Sequence, residues 1–195
     1  GGATGVLLSG WLRKIPLRFT AELCAAPLVL GYALGRVGCF LFNDDYGIPT
    51  SLPWGMKFPQ GLPPTTVDQL TRLHVAFPPG TNPLQLVAVH PTELYETALM
   101  LGVCWWLWRR RDHAHGTGWL FGWYLVLAGA ERFLIEILRA KDDRILGSFT
   151  LAQAASVGMM LLGAYLVKRW SAPDATVIAA ASAALPPPKA PAPAS

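Results

Sequence analysis

The residues with the clearest chemical potential are ionisable side chains that lie inside apolar segments of the chain. They are Arg36, Glu93, Tyr95, Glu96, Arg132, Glu136 and Arg139. Placing a charge within an apolar segment costs free energy, so each of these residues is a functional candidate. Arginine donates two parallel hydrogen bonds to a phosphate group, and the arginines therefore predict a site for a phosphate-bearing ligand.

Three of these side chains recur at helical spacing. Arg132, Glu136 and Arg139 stand at positions i, i+4 and i+7, which predicts that they share one helix face. A glutamate between two arginines can orient both guanidinium groups while a net positive charge remains for an anion. Alternatively, these residues form helix–helix ion pairs or extend to the membrane surface, and for Arg139 both interpretations stay open.

Arg36 lies between two glycines, and an acidic turn follows it. Gly35 and Gly38 permit either the close approach of another helix or access of a ligand to the backbone. Asp44 is a candidate proton acceptor or partner of the arginines, whereas we expect Asp45 to be a solvated turn residue.

A histidine precedes the apolar segment that carries Glu96. His90 is followed by Pro91, and proline favours the first position of a helix. Because imidazole titrates near neutral pH, His90 is either a general base or a polar residue at the helix start.

The composition is that of a membrane protein. Of the 195 residues, 52% are hydrophobic and 14% are charged, against about 25% charged in soluble domains. The net charge of +4 comes from short basic clusters at the ends of apolar segments, which argues against nucleic-acid binding. Three cysteines without a CxxC pair argue against a disulfide framework or a zinc site. We predict no metal and no cofactor.

The apolar segments predict an all-α, polytopic bundle of membrane helices. Four of them approach the ~20 residues that a span requires, and they are residues 21–42, 91–108, 118–138 and 149–167. Residues 1–12 resemble the second half of a further helix, because the chain begins at Gly1 within an apolar run. Basic clusters follow the helices predicted at 1–12, 91–108 and 149–167, and the positive-inside rule makes that side of the membrane cytoplasmic.

Two regions lie outside the predicted helices. The loop 43–89 is long and rich in proline and glycine, which is typical of a functional lid or binding loop. The tail 171–195 is rich in alanine and proline and predicts disorder on the cytoplasmic side. We therefore divide the chain into a membrane domain, 1–170, and this tail.

The predicted topology brings the charges to one level. Arg36 lies near the end of an outward helix, Glu96 near the start of an inward helix, and Arg132 near the end of the next outward helix. Alternating helices therefore place all three at the outer leaflet. We predict a site there for a phosphorylated lipid headgroup.

At these residues the sequence resembles the prolipoprotein diacylglyceryl transferase family. Residues 35–44 are similar to its signature G-R-x-G-N-F-I-N-x-E, and residues 90–96 to its H-P-x-Q-L-Y-E motif. The R-x-x-x-E-x-x-R-x-P-D motif matches, in order, Arg132, Glu136, Arg139 and Asp142. The similarity runs from Gly1 to about Trp170. This chain departs from the family pattern at Cys39, Phe42, Asp44, Glu93 and Lys141.

The resemblance implies a specific reaction. Members move the diacylglyceryl group of phosphatidylglycerol to the thiol of the lipobox cysteine in a prolipoprotein signal peptide, and glycerol phosphate leaves. It implies phosphate binding by Arg36, Arg132 and Arg139. The implied catalytic residues are Asp44, His90, Arg132 and Glu136, with the base unassigned. The implied supporting residues are Gly35, Gly38, Cys39, Asn43, Gly47, Tyr95 and Glu96.

The resemblance also implies a location and leaves alternatives. It implies a multi-pass protein of the bacterial inner membrane whose active site faces the periplasm. A catalytically silent relative that binds anionic phospholipid or signal peptide is the second hypothesis. A transporter or channel with an intramembrane ion pair is the third, although the sequence shows no internal repeat and no pair of broken helices.

Overall fold

The computed structural model describes residues 1–139, 144–146 and 149–172. Its elements, in chain order, are the helices α1 (Gly2–Leu12), α2 (Leu17–Phe42), α3 (Val67–Arg72), α4 (Thr92–Arg109) and α5 (Trp119–Leu138), the strands β1 (Arg144–Leu146) and β2 (Phe149–Thr150), and the helix α6 (Leu151–Arg169). The fold is helical, as predicted. The departure is β1 and β2, a short antiparallel hairpin where we expected a loop and the start of a helix.

Four long helices form the body of the molecule. α2 packs on α4, and α5 packs on α6. The 26 residues of α2 span about 39 Å, more than the apolar thickness of a bilayer. Among the described helices, α2 and α6 are long and apolar enough to cross a membrane. The number of spans predicted from the sequence stays a prediction.

Small residues bring the helices close together. Ala25, Ala26 and Ala33 of α2 are buried against the rest of the core. A Cβ atom at Gly163 of α6 would lie 2.6 Å from the backbone oxygen of Gly122 on α5. Because no side chain fits at that distance, the two backbones are in direct contact.

At the end of the bundle that carries the basic clusters, a carboxylate of α2 contacts the start of α5. Glu22 of α2 accepts hydrogen bonds from the backbone N–H groups of Gly118 (2.7 Å) and Leu120 (3.1 Å). Glu22 therefore caps the start of α5. Gly118 has a positive φ of 103°, and a Cβ there would lie 2.5 Å from the Trp170 ring.

The long loop between α2 and α4 folds into a compact unit. It contains α3, whose first turn is capped by the Thr66 hydroxyl. Tyr46, Phe58, Leu70 and Val89 form its own hydrophobic core. The loop therefore has a folded core at one end of the bundle.

Two sequence predictions fall on residues that the structure does not describe. Asp142 and Lys141 of the third motif lie outside the described residues, and so does the tail beyond residue 172.

Candidate functional site

The site is built around one buried carboxylate, that of Glu96 in the second turn of α4. Its side chain is 0% exposed. Arg36 donates a hydrogen bond from Nε to Oε2, and its Nη2 forms an ion-pair contact with the same oxygen. Oε1 lies 3.5 Å from Nη1 of Arg132 and 3.9 Å from Nη1 of Arg139. Glu96, predicted as a supporting residue, is thus the residue that joins all three arginines.

A second carboxylate, that of Asp45, joins two of the same arginines. Its Oδ2 lies 2.7 Å from Nη1 of Arg36, and its Oδ1 accepts a hydrogen bond from Nη2 of Arg139. The expectation that Asp45 is a solvated turn residue is wrong. The neighbouring Asp44 is the exposed member of the pair.

Arg139 reaches the site by a different route from the one that its spacing indicates. α5 ends at Leu138, and Arg139 adopts an extended conformation (φ −82°, ψ 137°). Its side chain is 4% exposed, so it does not extend to the membrane surface. Glu136 pairs with Arg132 at 3.0 Å, and Arg139 pairs with Asp45 and Glu96 instead. The shared helix face therefore holds for Arg132 and Glu136 only.

The formal charges of the cluster balance. Arg36, Arg132 and Arg139 meet the carboxylates of Asp45, Glu96 and Glu136, so three positive charges face three negative charges. The net positive charge expected from the third motif alone is therefore absent from this group of six. An incoming anion has to share a guanidinium with a carboxylate.

Arg132 is the guanidinium most open to an incoming molecule. Its side chain is 29% exposed, against 11% for Arg36. It also lines a cavity of about 190 Å³, whose wall includes Tyr32 and Glu131. An anion can reach Arg132 while the buried contacts of Arg36 stay in place.

His90 belongs to a separate chain of hydrogen bonds. Trp54 Nε1 donates to the Tyr95 hydroxyl at 2.8 Å, and that hydroxyl lies 3.2 Å from Nδ1 of His90. Because Tyr95 accepts from Trp54, its O–H is free to donate to His90. In the described residues, these contacts link His90 to Tyr95 and not directly to the arginine cluster.

Gly47 lies in the outer loop, the segment 43–91 between α2 and α4, where this loop contacts α4 and α5. Its N–H donates to the backbone oxygen of His90 at 2.8 Å. A Cβ at Gly47 would lie 2.5 Å from the backbone oxygen of Leu138 and 2.8 Å from Thr92. This close approach brings the turn that carries Asp45 against the end of α5.

The other predicted supporting residues have simpler surroundings. Nothing in the described structure lies within 4 Å of a Cβ built at Gly35 or Gly38. Cys39 places its sulfur 3.6 Å from Nη1 of Arg36. Asn43 ends α2 in a left-handed conformation (φ 58°), which asparagine tolerates better than most residues.

Two further titratable side chains, Tyr46 and Glu93, are buried. Tyr46 in the outer loop donates to the backbone oxygen of Pro63 at 2.7 Å. Burial, reinforced by the nearby carboxyl of Glu93, raises the pKa of Tyr46 to about 12. Glu93 is 0% exposed, and neither of its carboxyl oxygens has a hydrogen-bond partner among the described residues.

Sequence reasoning missed two residues of the site, Asp45 and Tyr32. Tyr32 donates from its hydroxyl to Oε1 of Glu96 at 3.1 Å. The available signal was its position, one helical turn before Arg36 on the same face of α2.

Together, these features define a helical membrane protein that gathers arginines around buried carboxylates at one end of its bundle. The sequence profile of prolipoprotein diacylglyceryl transferase matches residues 1–169. The chain belongs to this family.

Curated relatives support the same conclusion. A protein of Cupriavidus metallidurans is 33% identical over 178 residues, which cover 86% of this chain and 57% of the relative. Proteins of Stenotrophomonas maltophilia and Geobacter sulfurreducens are each 32% identical, covering 86% and 87% of this chain and 59% and 60% of their own length. All three are named phosphatidylglycerol–prolipoprotein diacylglyceryl transferase. The chain spans a little under two thirds of these relatives.

Proposed function

We propose that the protein transfers the diacylglyceryl group of phosphatidylglycerol to the lipobox cysteine of prolipoproteins. The observation that carries the proposal is the convergence of Arg36, Arg132 and Arg139 on the buried carboxylate of Glu96. A carboxylate held by several guanidinium groups keeps their charge at a fixed place in an apolar setting. That arrangement is suited to an anionic headgroup that has to be recognised beside lipid.

In the proposed complex, the phosphate of the lipid binds first at Arg132. This side chain is the most exposed of the three guanidinium groups and adjoins the cavity. Glu136, at 3.0 Å, orients it. Arg36 and Arg139 lie beside it in positions fixed by Asp45 and Glu96, and they share their N–H donors between these carboxylates and the incoming phosphate.

The proposed reaction is a displacement at carbon. The thiol sulfur forms a bond to the terminal glyceryl carbon, and the bond from that carbon to the phosphate oxygen breaks. The electron pair of the broken bond stays on the phosphate, which leaves as glycerol phosphate with a second negative charge. The arginines stabilise this added charge more strongly than the charge of the intact lipid, and this difference lowers the barrier.

The thiol has to lose its proton because the thiolate is the nucleophile. Asp44, which is exposed, and His90, which Tyr95 orients, are the proposed acceptors. Both lie outside the ion pairs around Glu96, so each is available for proton transfer.

The proposal includes a membrane arrangement. Four helices, α2, α4, α5 and α6, cross the bacterial inner membrane, and the arginine cluster faces the periplasm. The basic residues that follow α1, α4 and α6 then lie on the cytoplasmic side, as the positive-inside rule requires.

The test is a transfer assay in membranes that contain the complete natural protein. It uses radiolabelled phosphatidylglycerol and a lipobox peptide, and a peptide with serine in place of the cysteine is the control. We expect label on the cysteine peptide alone. Binding of phosphatidylglycerol without transfer would contradict the proposal and would instead identify a silent lipid-binding relative.

A substitution at Arg132 connects this activity with the site. We expect Arg132→Gln to lower kcat/KM by about 100-fold, because a hydrogen-bonded charge that strengthens in the transition state is lost. Arg72→Gln is the matched control, since Arg72 is exposed in α3 and pairs with Asp68. Equal activity of both variants would show that Arg132 does not bind the phosphate.

A further inference from the structure

We propose that Tyr32 is a positioning residue that holds both members of the Arg36–Glu96 pair in their working orientation. The inference rests on the proposed function of the cluster but concerns a residue outside the three sequence motifs. It follows from the two ends of the Tyr32 side chain, which make separate contacts.

The hydroxyl end of Tyr32 holds the glutamate. It donates to Oε1 of Glu96 at 3.1 Å, while Oε2 of the same carboxylate receives Arg36. The other donors near Oε1 are the guanidinium groups of Arg132 and Arg139, at 3.5 and 3.9 Å. Among these three contacts in the described residues, that of Tyr32 is the shortest. It restrains the rotation of the carboxylate, on which the direction of the Arg36 contact at Oε2 depends.

The ring of Tyr32 holds the arginine. The guanidinium carbon of Arg36 lies 5.8 Å from the ring centroid, within the range of a cation–π interaction. This contact follows from the sequence, because residues four apart on a helix are neighbours. One side chain thus contacts the cation through its face and the anion through its hydroxyl.

Tyr32 also contributes to the wall of the cavity beside Arg132. It lines the cavity together with Arg132, the guanidinium proposed to receive the phosphate. A loosened Glu96 would let Arg36 and Arg132 move relative to each other. The consequence is a phosphate held at a less favourable angle, with less stabilisation of the charge that develops on the leaving group.

The test compares Tyr32→Phe with Tyr124→Phe in the complete protein. Tyr124 lines the same cavity, and in the described residues its hydroxyl makes no contact with the arginine cluster. We expect Tyr32→Phe to lower kcat about ten-fold, the size expected for a hydrogen bond to a charged group, and to leave the thermal midpoint within a few degrees. We expect Tyr124→Phe to keep kcat within about two-fold.

A double-substitution cycle distinguishes positioning from a general structural effect. If Tyr32 acts through Glu96, then Tyr32→Phe added to Glu96→Gln should lower kcat or lipid affinity by less than about two-fold. The proposal would be overturned if the double variant lost as much activity as the product of the two single fold-losses. Equal rates for the Tyr32 and Tyr124 variants would also overturn it.

The same variants separate this inference from the proposed function. If the unchanged protein transfers no label, the transferase proposal fails. The affinity of each variant of the cycle for short-chain phosphatidylglycerol is then measured by titration calorimetry. Weaker binding by the single variant Tyr32→Phe would still support the positioning role. No binding by the unchanged protein, or unchanged affinity in the variant, would overturn it.

Discussion

At the scale of single residues, the site depends on which side chain of a neighbouring pair faces inward. Asp44 and Asp45 are chemically equal, yet only Asp45 contacts Arg36 and Arg139. Replacing one partner in a buried ion pair leaves the other charge uncompensated, which is costly. The inward aspartate therefore controls how the two arginines are held.

We expect Asp45→Asn to raise the KM for phosphatidylglycerol about ten-fold or more, because both arginines lose a charged partner and reorient. Asp68→Asn is the control, since Asp68 lies in the same outer loop, is 45% exposed and pairs only with Arg72 among the described residues. The measurement is the initial transfer rate at varied lipid concentration. A KM unchanged by Asp45→Asn would show that the pairing does not contribute to the site.

At the scale of elements, glycines allow α5 and α6 to touch, and this contact positions the end of α5 that carries Arg132. Gly122 faces Gly163 across the interface. Ridges of larger side chains would separate the helices by several ångströms. The position of Arg132 relative to α2 and α4 therefore depends on residues that are far from the charges.

We expect Gly163→Ala to lower the thermal midpoint in detergent, at a cost of about 1–3 kcal/mol, because an added methyl overpacks this contact. A Cβ at Gly163 would lie 2.6 Å from the Gly122 oxygen and 2.8 Å from Val126. Gly158→Ala, on the same helix with nothing within 4 Å of the added atom, should leave the midpoint unchanged or raise it. Equal midpoints for the two variants would refute close contact between α5 and α6.

At the scale of the whole molecule, charge separates the two ends of the bundle. One end carries the balanced arginine cluster under the folded outer loop. The other carries unbalanced basic residues, several of which stack on tryptophans, such as Arg110 over Trp106 at 4.4 Å. This asymmetry is the basis of the proposed orientation in the membrane.

We expect single cysteines at the two ends to be labelled from opposite sides. In a background with all native cysteines replaced by serine, Gln60→Cys in the outer loop should react with a membrane-impermeant maleimide in spheroplasts. Asp112→Cys, between α4 and α5, should react only after the membrane is opened. Its native side chain is 83% exposed, so burial would not explain protection. Labelling of both in intact cells would contradict the orientation.

Much of this protein is determined by its sequence alone. The apolar segments predict the long helices, and their alternation predicts that Arg36, Glu96 and Arg132 meet at one end. Both predictions are local in origin, since hydrophobicity and helical direction follow from neighbouring residues. The three motifs likewise indicate the family that the comparisons show.

The tertiary structure alone decided the pairings. Glu96 joins the arginines, Asp45 rather than Asp44 faces them, and the Tyr32 hydroxyl donates to Glu96. Arg139 leaves its predicted helix face because α5 ends one residue earlier, where the outer loop pairs with its last carbonyl. Such contacts depend on the rotation of each helix and on where the next segment docks. Residues distant in the chain determine the rotation of each helix and the place where the next segment docks. A periodic pattern within one segment therefore does not predict these contacts.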